Sequence, residues 1–137
     1  MITNSFNRAL DLLESSLSAT SLRRQVITNN LSNAETPNFK RSEVSFEARL
    51  GEALKAEKEV QPTGYLTNEK HIPFSRPVDI NAVDPRVTLD YLTTAKNNGN
   101  NVDVERELND SVKNQMMYEL MTSVVSHQFR LVNIVLS

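Results

Sequence analysis

The chain has 137 residues, 39 % hydrophobic and 6 % aromatic with no Trp, a formal net charge of −2 and no cysteine. That length suits one modest domain, while the apolar fraction sits below the ~45–50 % of ordinary globular chains, so a large self-contained core is not expected. The missing cysteines exclude disulfides, thiolate nucleophiles and thiolate-held metals, and no basic run marks a nucleic-acid surface.

Residues Met1 to Asn7 have no positive stretch followed by an apolar one, so no cleavable signal peptide is expected. The longest apolar runs, such as Ile134-Val135-Leu136, fall far short of the ~18 residues that point to a membrane span. Proline and glycine divide the chain into three. All five prolines and all three glycines lie between residues 37 and 99. Both ends are free of these helix breakers and can form long helices. The expected parts are an N-terminal helix over 1–36, a middle loop region over 37–100 with a short helix and room for one or two short strands, and a C-terminal helix over 101–137.

In the first part, Phe6, Leu10, Leu13, Leu17, Ile27, Leu31 and Ala34 follow steps of three and four, with polar steps at Thr20 and Arg24. A second stripe of Ala9, Leu12, Ala19, Leu22 and Val26 runs beside it, which makes one broad apolar face. A helix from about Asn4 to Leu31 would be roughly 40 Å long. It must stop before Pro37, because Thr36 is pushed out of the α region.

The stretch from Asn29 to Phe39 then turns the chain. Asn33 can take a left-handed cap conformation, or its side chain can bond nearby backbone. Thr36-Pro37 fixes an extended exit, and Asn38 follows proline at a turn position where positive φ is common. Phe39 anchors the outgoing chain. An ordinary helix stop would look much the same.

From Ser42 the chain begins extended, and Phe46, Leu50, Ala53 and Leu54 then recur at the spacing of a short helix. Residues Gln61 to Leu92 read as loops and short strands, and Thr93 to Asn101 as a polar, mobile segment. Asn98-Gly99 marks a turn. Asn101 or Asp103 can cap the final helix, with Glu105 and Glu107 as its solvated first turn. One stripe of that helix is Val112, Met116, Leu120, Val124, His127, Leu131 and Val135, and a neighbouring one carries Leu108, Val125, Phe129, Val132 and Leu136. Its last turns are apolar on nearly every side, more than one small chain can cover, so other subunits are expected there.

Charge favours antiparallel pairing, because Arg23 and Arg24 late in the first helix then face Asp103, Glu105, Glu107 and Asp110 early in the last. The expected fold class is mainly α: two long terminal helices in an antiparallel coiled-coil-like hairpin, with a short irregular, β-containing middle. The expected packing interface is Leu10, Leu13, Leu17 and Ile27 with Leu120, Val124, Leu131 and Val135. No catalytic constellation emerges. His71 and His127 are the only histidines and read as turn and packing residues. Asp79, Asp84 and Asp90 lack the spacing of a calcium loop. No enzyme activity, metal or cofactor is expected.

The residues Asn30, Leu31, Ser32, Asn33, Thr36, Pro37 and Phe39, at the end of a long N-terminal helix, resemble the signature of the bacterial flagellar rod, hook and hook-associated axial proteins. Asn38 stands where that family usually has glycine. The short middle, Phe46 and its following helix, His71-Ile72-Pro73, and Gly99-Asn100-Asn101-Val102-Asp103 are similar to the proximal-rod members of the basal-body rod family. The resemblance implies a structural subunit of the flagellar basal-body rod, exported unfolded through the type III apparatus without a cleaved signal. It implies assembly with other copies and other rod proteins, beside membrane-ring and export-gate-adjacent proteins, with no nucleic acid and no membrane insertion. The monomer's termini would be disordered and would order in the polymer. The alternative reading of the same stripes is a cytoplasmic helical-hairpin adaptor or chaperone acting as a homodimer.

Overall fold

A computed structural model describes residues 2–58, 83–93 and 95–136. Of the loops and short strands expected over residues 61–92, residues 61–82, with His71-Ile72-Pro73 and Asp79, lie outside the described residues. Helix α1 spans Ile2–Ser32, strand β1 Ser42–Ser45, helix α2 Glu47–Lys58, strand β2 Arg86–Leu89 and helix α3 Val104–Leu136. The two long helices, 31 and 33 residues, occupy the ends that carry neither proline nor glycine. Among the described residues no helix is long and apolar enough to cross a membrane.

Helix α1 ends as its sequence directs. Asn33 does not turn left-handed; its Nδ2 donates to Asn29 O at 2.9 Å and Asn29 Oδ1 at 2.7 Å, satisfying groups at the helix end. The left-handed residue is Asn38, at φ 60°, paired across the fold with Gly99 at φ 81°. At the start of α3, Asp103 is the cap: its Oδ1 accepts from Glu105 N at 3.0 Å.

Strand β1 pairs antiparallel with β2, Ser42 opposite Leu89 and Val44 opposite Val87. Helix α2 then folds back, and Phe46, Ala53, Ala19 and Val83 form a small buried cluster, flanked by Leu12, Leu50 and Leu54. The helical spacing read from Phe46 to Leu54 is therefore the spacing of a core face.

Helices α1 and α3 pack antiparallel. Asn30, late in α1, bonds Glu107, early in α3; ten residues back, Asn114 Nδ2 donates to Thr20 O at 2.9 Å. The pairing direction is the expected one, but the charges are partnered differently. Arg23 pairs with Glu47 of α2 at 2.6 Å, and Glu107 pairs with Arg41.

The seam between the helices is more polar than the stripes suggested. Glu107 and Asn114, seven residues apart, are the buried residues of α3, and they face the buried Thr20, Ile27 and Asn30 of α1. Seven residues return a side chain to nearly the same face. The apolar stripe lies outside. Val104, Leu108, Val112, Met116, Leu120 and Val124 recur every fourth residue, and all are exposed. Such a row forms one continuous ridge on a helix surface. It is polar pairing, unavailable to a periodicity count, that chooses which face of α3 meets α1.

Candidate functional site

The ends of α1 and α3 are joined by a cluster of buried polar side chains. Asn30 reaches in two directions at once. Its Nδ2 donates to Ser42 O at 2.9 Å and to Glu107 Oε2 at 3.1 Å, and its Oδ1 accepts from Ser42 N at 3.0 Å. One amide thus fixes α1 to β1 and to α3.

Arg41 completes the link. Its Nε donates to Glu107 Oε1 at 2.9 Å and its Nη2 lies 2.8 Å from the same oxygen. Its Nη1 pairs with Glu43, and Asp90 Oδ2 lies 3.6 Å away. Glu107 is 0 % exposed and Arg41 4 %. Burying two charges costs several kcal/mol each unless they are paired and further hydrogen-bonded. Here the bond from Asn30 occupies the second carboxylate oxygen of Glu107. Burial acts against the charge on Arg41, but hydrogen bonds and attraction from Glu43 and Glu107 outweigh it and raise its pKa above the usual arginine value.

The loop before α3 holds the turn after α1. Asn100, fully buried, donates through Nδ2 to Asn33 O at 2.9 Å, Ala34 O at 3.0 Å and Thr36 O at 2.8 Å. Its Oδ1 accepts from Val102 N at 2.7 Å. Asn101 accepts from Arg41 N at 2.7 Å and donates to Asp90 O at 2.6 Å. Lys96 Nζ donates to Ala34 O at 2.9 Å, and Lys40 Nζ to Gly99 O at 2.7 Å. The segment expected to be mobile is therefore bonded at most of its described positions from Lys96 to Asn101. Its polarity serves the backbone of the helix stop.

Asp90 braces the far side. Its carboxyl is held below the ordinary value of 3.8, chiefly by the Thr93 hydroxyl, against a burial effect that raises it, with the Leu92 and Thr93 amides and Arg41 adding to the lowering.

The sequence-predicted motif residues take distinct places. Asn30 is buried in the clamp. Leu31 and Phe39 are half-buried, and Pro37 is exposed. Ser32 Oγ donates back to Thr28 O at 2.8 Å, and Asn33 and Thr36 offer backbone carbonyls to Asn100. Of the predicted packing residues, Ile27 is buried and Leu10, Leu13 and Leu17 are half-buried. Leu120, Val124, Leu131 and Val135 are exposed, with Val135 at 84 %. His127 is exposed on α3, and His71 lies outside the described residues.

Glu107 corrects the expectation of a solvated first turn; Glu105 alone meets it. Nothing in the sequence marks Arg41 or Asn114 as a site residue, and Asn100 and Asn101 enter only through the resemblance and, for Asn101, as a cap candidate. The signal available is weak: adjacent asparagines at 100 and 101 and an arginine two residues past the anchoring Phe39. The clamp spends its groups on other parts of the same chain, so its chemistry is that of a fastening.

A family described as "Flagella basal body rod protein" matches residues 10–40, the stretch that holds most of α1 and the turn. The flagellar basal body rod protein FlgB of Borreliella burgdorferi is 42 % identical over 133 residues, covering 97 % of this chain and 98 % of the relative. FlgB of Bacillus subtilis is 30 % identical over 96 % of this chain and 95 % of its own length. FlgB of Escherichia coli is 25 % identical over 89 % of this chain and 88 % of its own. With 42 % identity over 97 % of its length to one such relative, the chain belongs to the FlgB family of flagellar basal body rod proteins.

Proposed function

We propose that this chain is a structural subunit of the proximal rod, polymerising through its terminal helices with other copies and other rod proteins. In this reading it connects the membrane ring with the distal rod, beside export-gate-adjacent proteins. The observation that carries the proposal is the outward ridge of α3, continued by the exposed Leu131, Ile134, Val135 and Leu136. Contiguous apolar surface of that extent marks a protein interface. The clamp sets the angle at which the two helices leave their joined ends, so the assembly residues Asn30, Leu31, Ser32, Asn33, Thr36, Pro37 and Phe39 act by presenting the helices to neighbours. The interface between subunits falls to Leu10, Leu13 and Leu17 with Leu120, Val124, Leu131 and Val135, while Ile27 stays buried in the seam within the chain. The homodimeric adaptor would use the same stripes, but the matched relatives carry rod names and give it no support.

Hydrogen exchange with sedimentation tests the proposal. In a purified monomer, the helix ends far from the clamp, residues 6–17 and 120–135, exchange fast; in isolated rods they are protected. A compact dimer at micromolar concentration with both ends protected would favour the adaptor.

A further inference from the structure

The sequence holds a single Asn-Gly pair, Asn98-Gly99, and it lies in the loop that closes the clamp. We propose that Asn98 is a conditional deamidation site, kept closed by the folded clamp and opened when the chain is unfolded. This inference is independent of the rod reading.

The chemistry needs only water and the chain. The nitrogen of Gly99, its proton lost to solvent base, bonds to Asn98 Cγ. The Cγ–Nδ2 bond breaks and ammonia leaves, giving a five-membered imide. Water then opens the imide at one carbonyl to give aspartate, or at the other to give isoaspartate. A glycine at the following position favours the attack, because no Cβ obstructs the approach of its nitrogen. Every other asparagine here precedes a residue with a side chain.

Folding restrains each group the attack must move. Gly99 N–H donates to Lys96 O at 3.3 Å, and Asn98 Oδ1 accepts from Asn100 N at 3.1 Å. Asn98 O accepts from Asn38 N at 3.1 Å, and Gly99 O from Lys40 Nζ at 2.7 Å. Gly99 is also held against Asn38, whose Oδ1 would lie 2.5 Å from any Cβ added at position 99. Rotation of the Asn98 carboxamide onto Gly99 N therefore requires the loop to open first.

Modification has a structural consequence. Isoaspartate carries an extra methylene in the main chain. It shifts the two oxygens of residue 98 away from Asn38 and Asn100, and Asn100 is the residue that holds carbonyls 33, 34 and 36. A chain left unfolded for long would thus lose the ability to close the clamp.

The test incubates the intact chain, folded and in urea, at mildly alkaline pH, and quantifies isoaspartate at residue 98 by peptide mass spectrometry. In urea, residue 98 is the principal site. In the folded chain the rate is lower by about tenfold or more, since reaction proceeds only from locally opened molecules. Lys40→Met removes one restraint while leaving the buried clamp, and raises the folded-state rate. Asn98→Ser abolishes the product. Equal rates in the folded chain and in urea, product spread over other asparagines with none at 98, or an unchanged rate in Lys40→Met would each overturn the proposal.

Discussion

Arg41 and Glu107 stand 66 positions apart in the chain and meet as a buried ion pair, with the guanidinium Nη2 2.8 Å from the carboxylate. Each brings a different part of the molecule. Arg41 precedes β1 and also bonds the loop through Asn101, while Glu107 lies in the first turns of α3 and also accepts from Asn30. Removing one member leaves the other charge buried without its partner.

Glu107→Ala is therefore expected to cost about 3–5 kcal/mol of unfolding free energy. Replacing both, as Arg41→Met with Glu107→Leu, should recover most of that loss, since well-packed apolar groups often substitute for a buried pair. Urea denaturation of the two single variants and the double variant measures this directly. A single-variant loss below about 1 kcal/mol would be that of an exposed pair.

Asn100→Ala is expected to cost roughly 2 kcal/mol, because three carbonyls lose a shared donor at a buried position, and hydrogen bonds contribute about 1 kcal/mol each. The loss should show locally as faster amide exchange at Asn38 and Gly99. Asn100→Asp keeps the acceptor for Val102 N but not the donor, so it should resemble the alanine variant.

How far the sequence revealed this arrangement differs from element to element. The long helices were legible because proline and glycine are confined to residues 37–99. Asn38 was legible because proline precedes it, and φ 60° follows. The Asp103 cap and the Phe46 face of α2 were local patterns too. Glu107 was misread because its neighbours in sequence describe an exposed acidic turn, whereas its partner Arg41 is fixed by tertiary folding. The same holds for the seam. Periodicity finds the apolar face of α3, but Asn114 and Glu107 decide which face turns to α1. The motif residues at the end of α1 stand out through family resemblance, and the side chains that hold them in place do not.

Asn114 is buried at the α1–α3 seam with its Oδ1 unpaired, although its Nδ2 reaches Thr20 O. Asn114→Leu should raise monomer stability by roughly 1 kcal/mol through loss of the unsatisfied acceptor. It should also loosen helix register, since a single buried polar residue at such a seam position specifies register at a cost in stability. A raised urea midpoint combined with poorer assembly is the expected pair of results.

The pH dependence near Asp90 has a definite sign. Its folded pKa lies below the ordinary 3.8, so the folded state binds its proton less readily than the unfolded chain. Its contribution is present above that ordinary value and is lost as pH falls from there through the lowered folded value. Asp90→Asn should flatten the acid limb of a stability-against-pH curve in that window and leave the neutral region parallel to the parent. An unchanged acid limb would assign the loss to other carboxylates.

Leu131→Asp places a charge on the exposed late face of α3, where Leu131 is 45 % accessible. The monomer should remain soluble with unchanged urea midpoint, because no buried contact is lost. Incorporation into rods in a motile host should fall sharply, as read from basal bodies isolated from the complemented strain. Normal incorporation would remove Leu131 from the interface.

The helix junction also bears on how much chain can intervene. Arg41 and Glu107 close a loop of 66 positions, and the entropy of closing a flexible loop grows only logarithmically, by about 0.6 kcal/mol for each doubling of length. That increment is small beside the several kcal/mol expected from breaking the buried pair. An insertion between α2 and β2 could therefore lengthen the protein considerably and leave the meeting of its two ends intact. In this architecture the size of the middle and the fastening of the ends are separable quantities, free to vary one without the other.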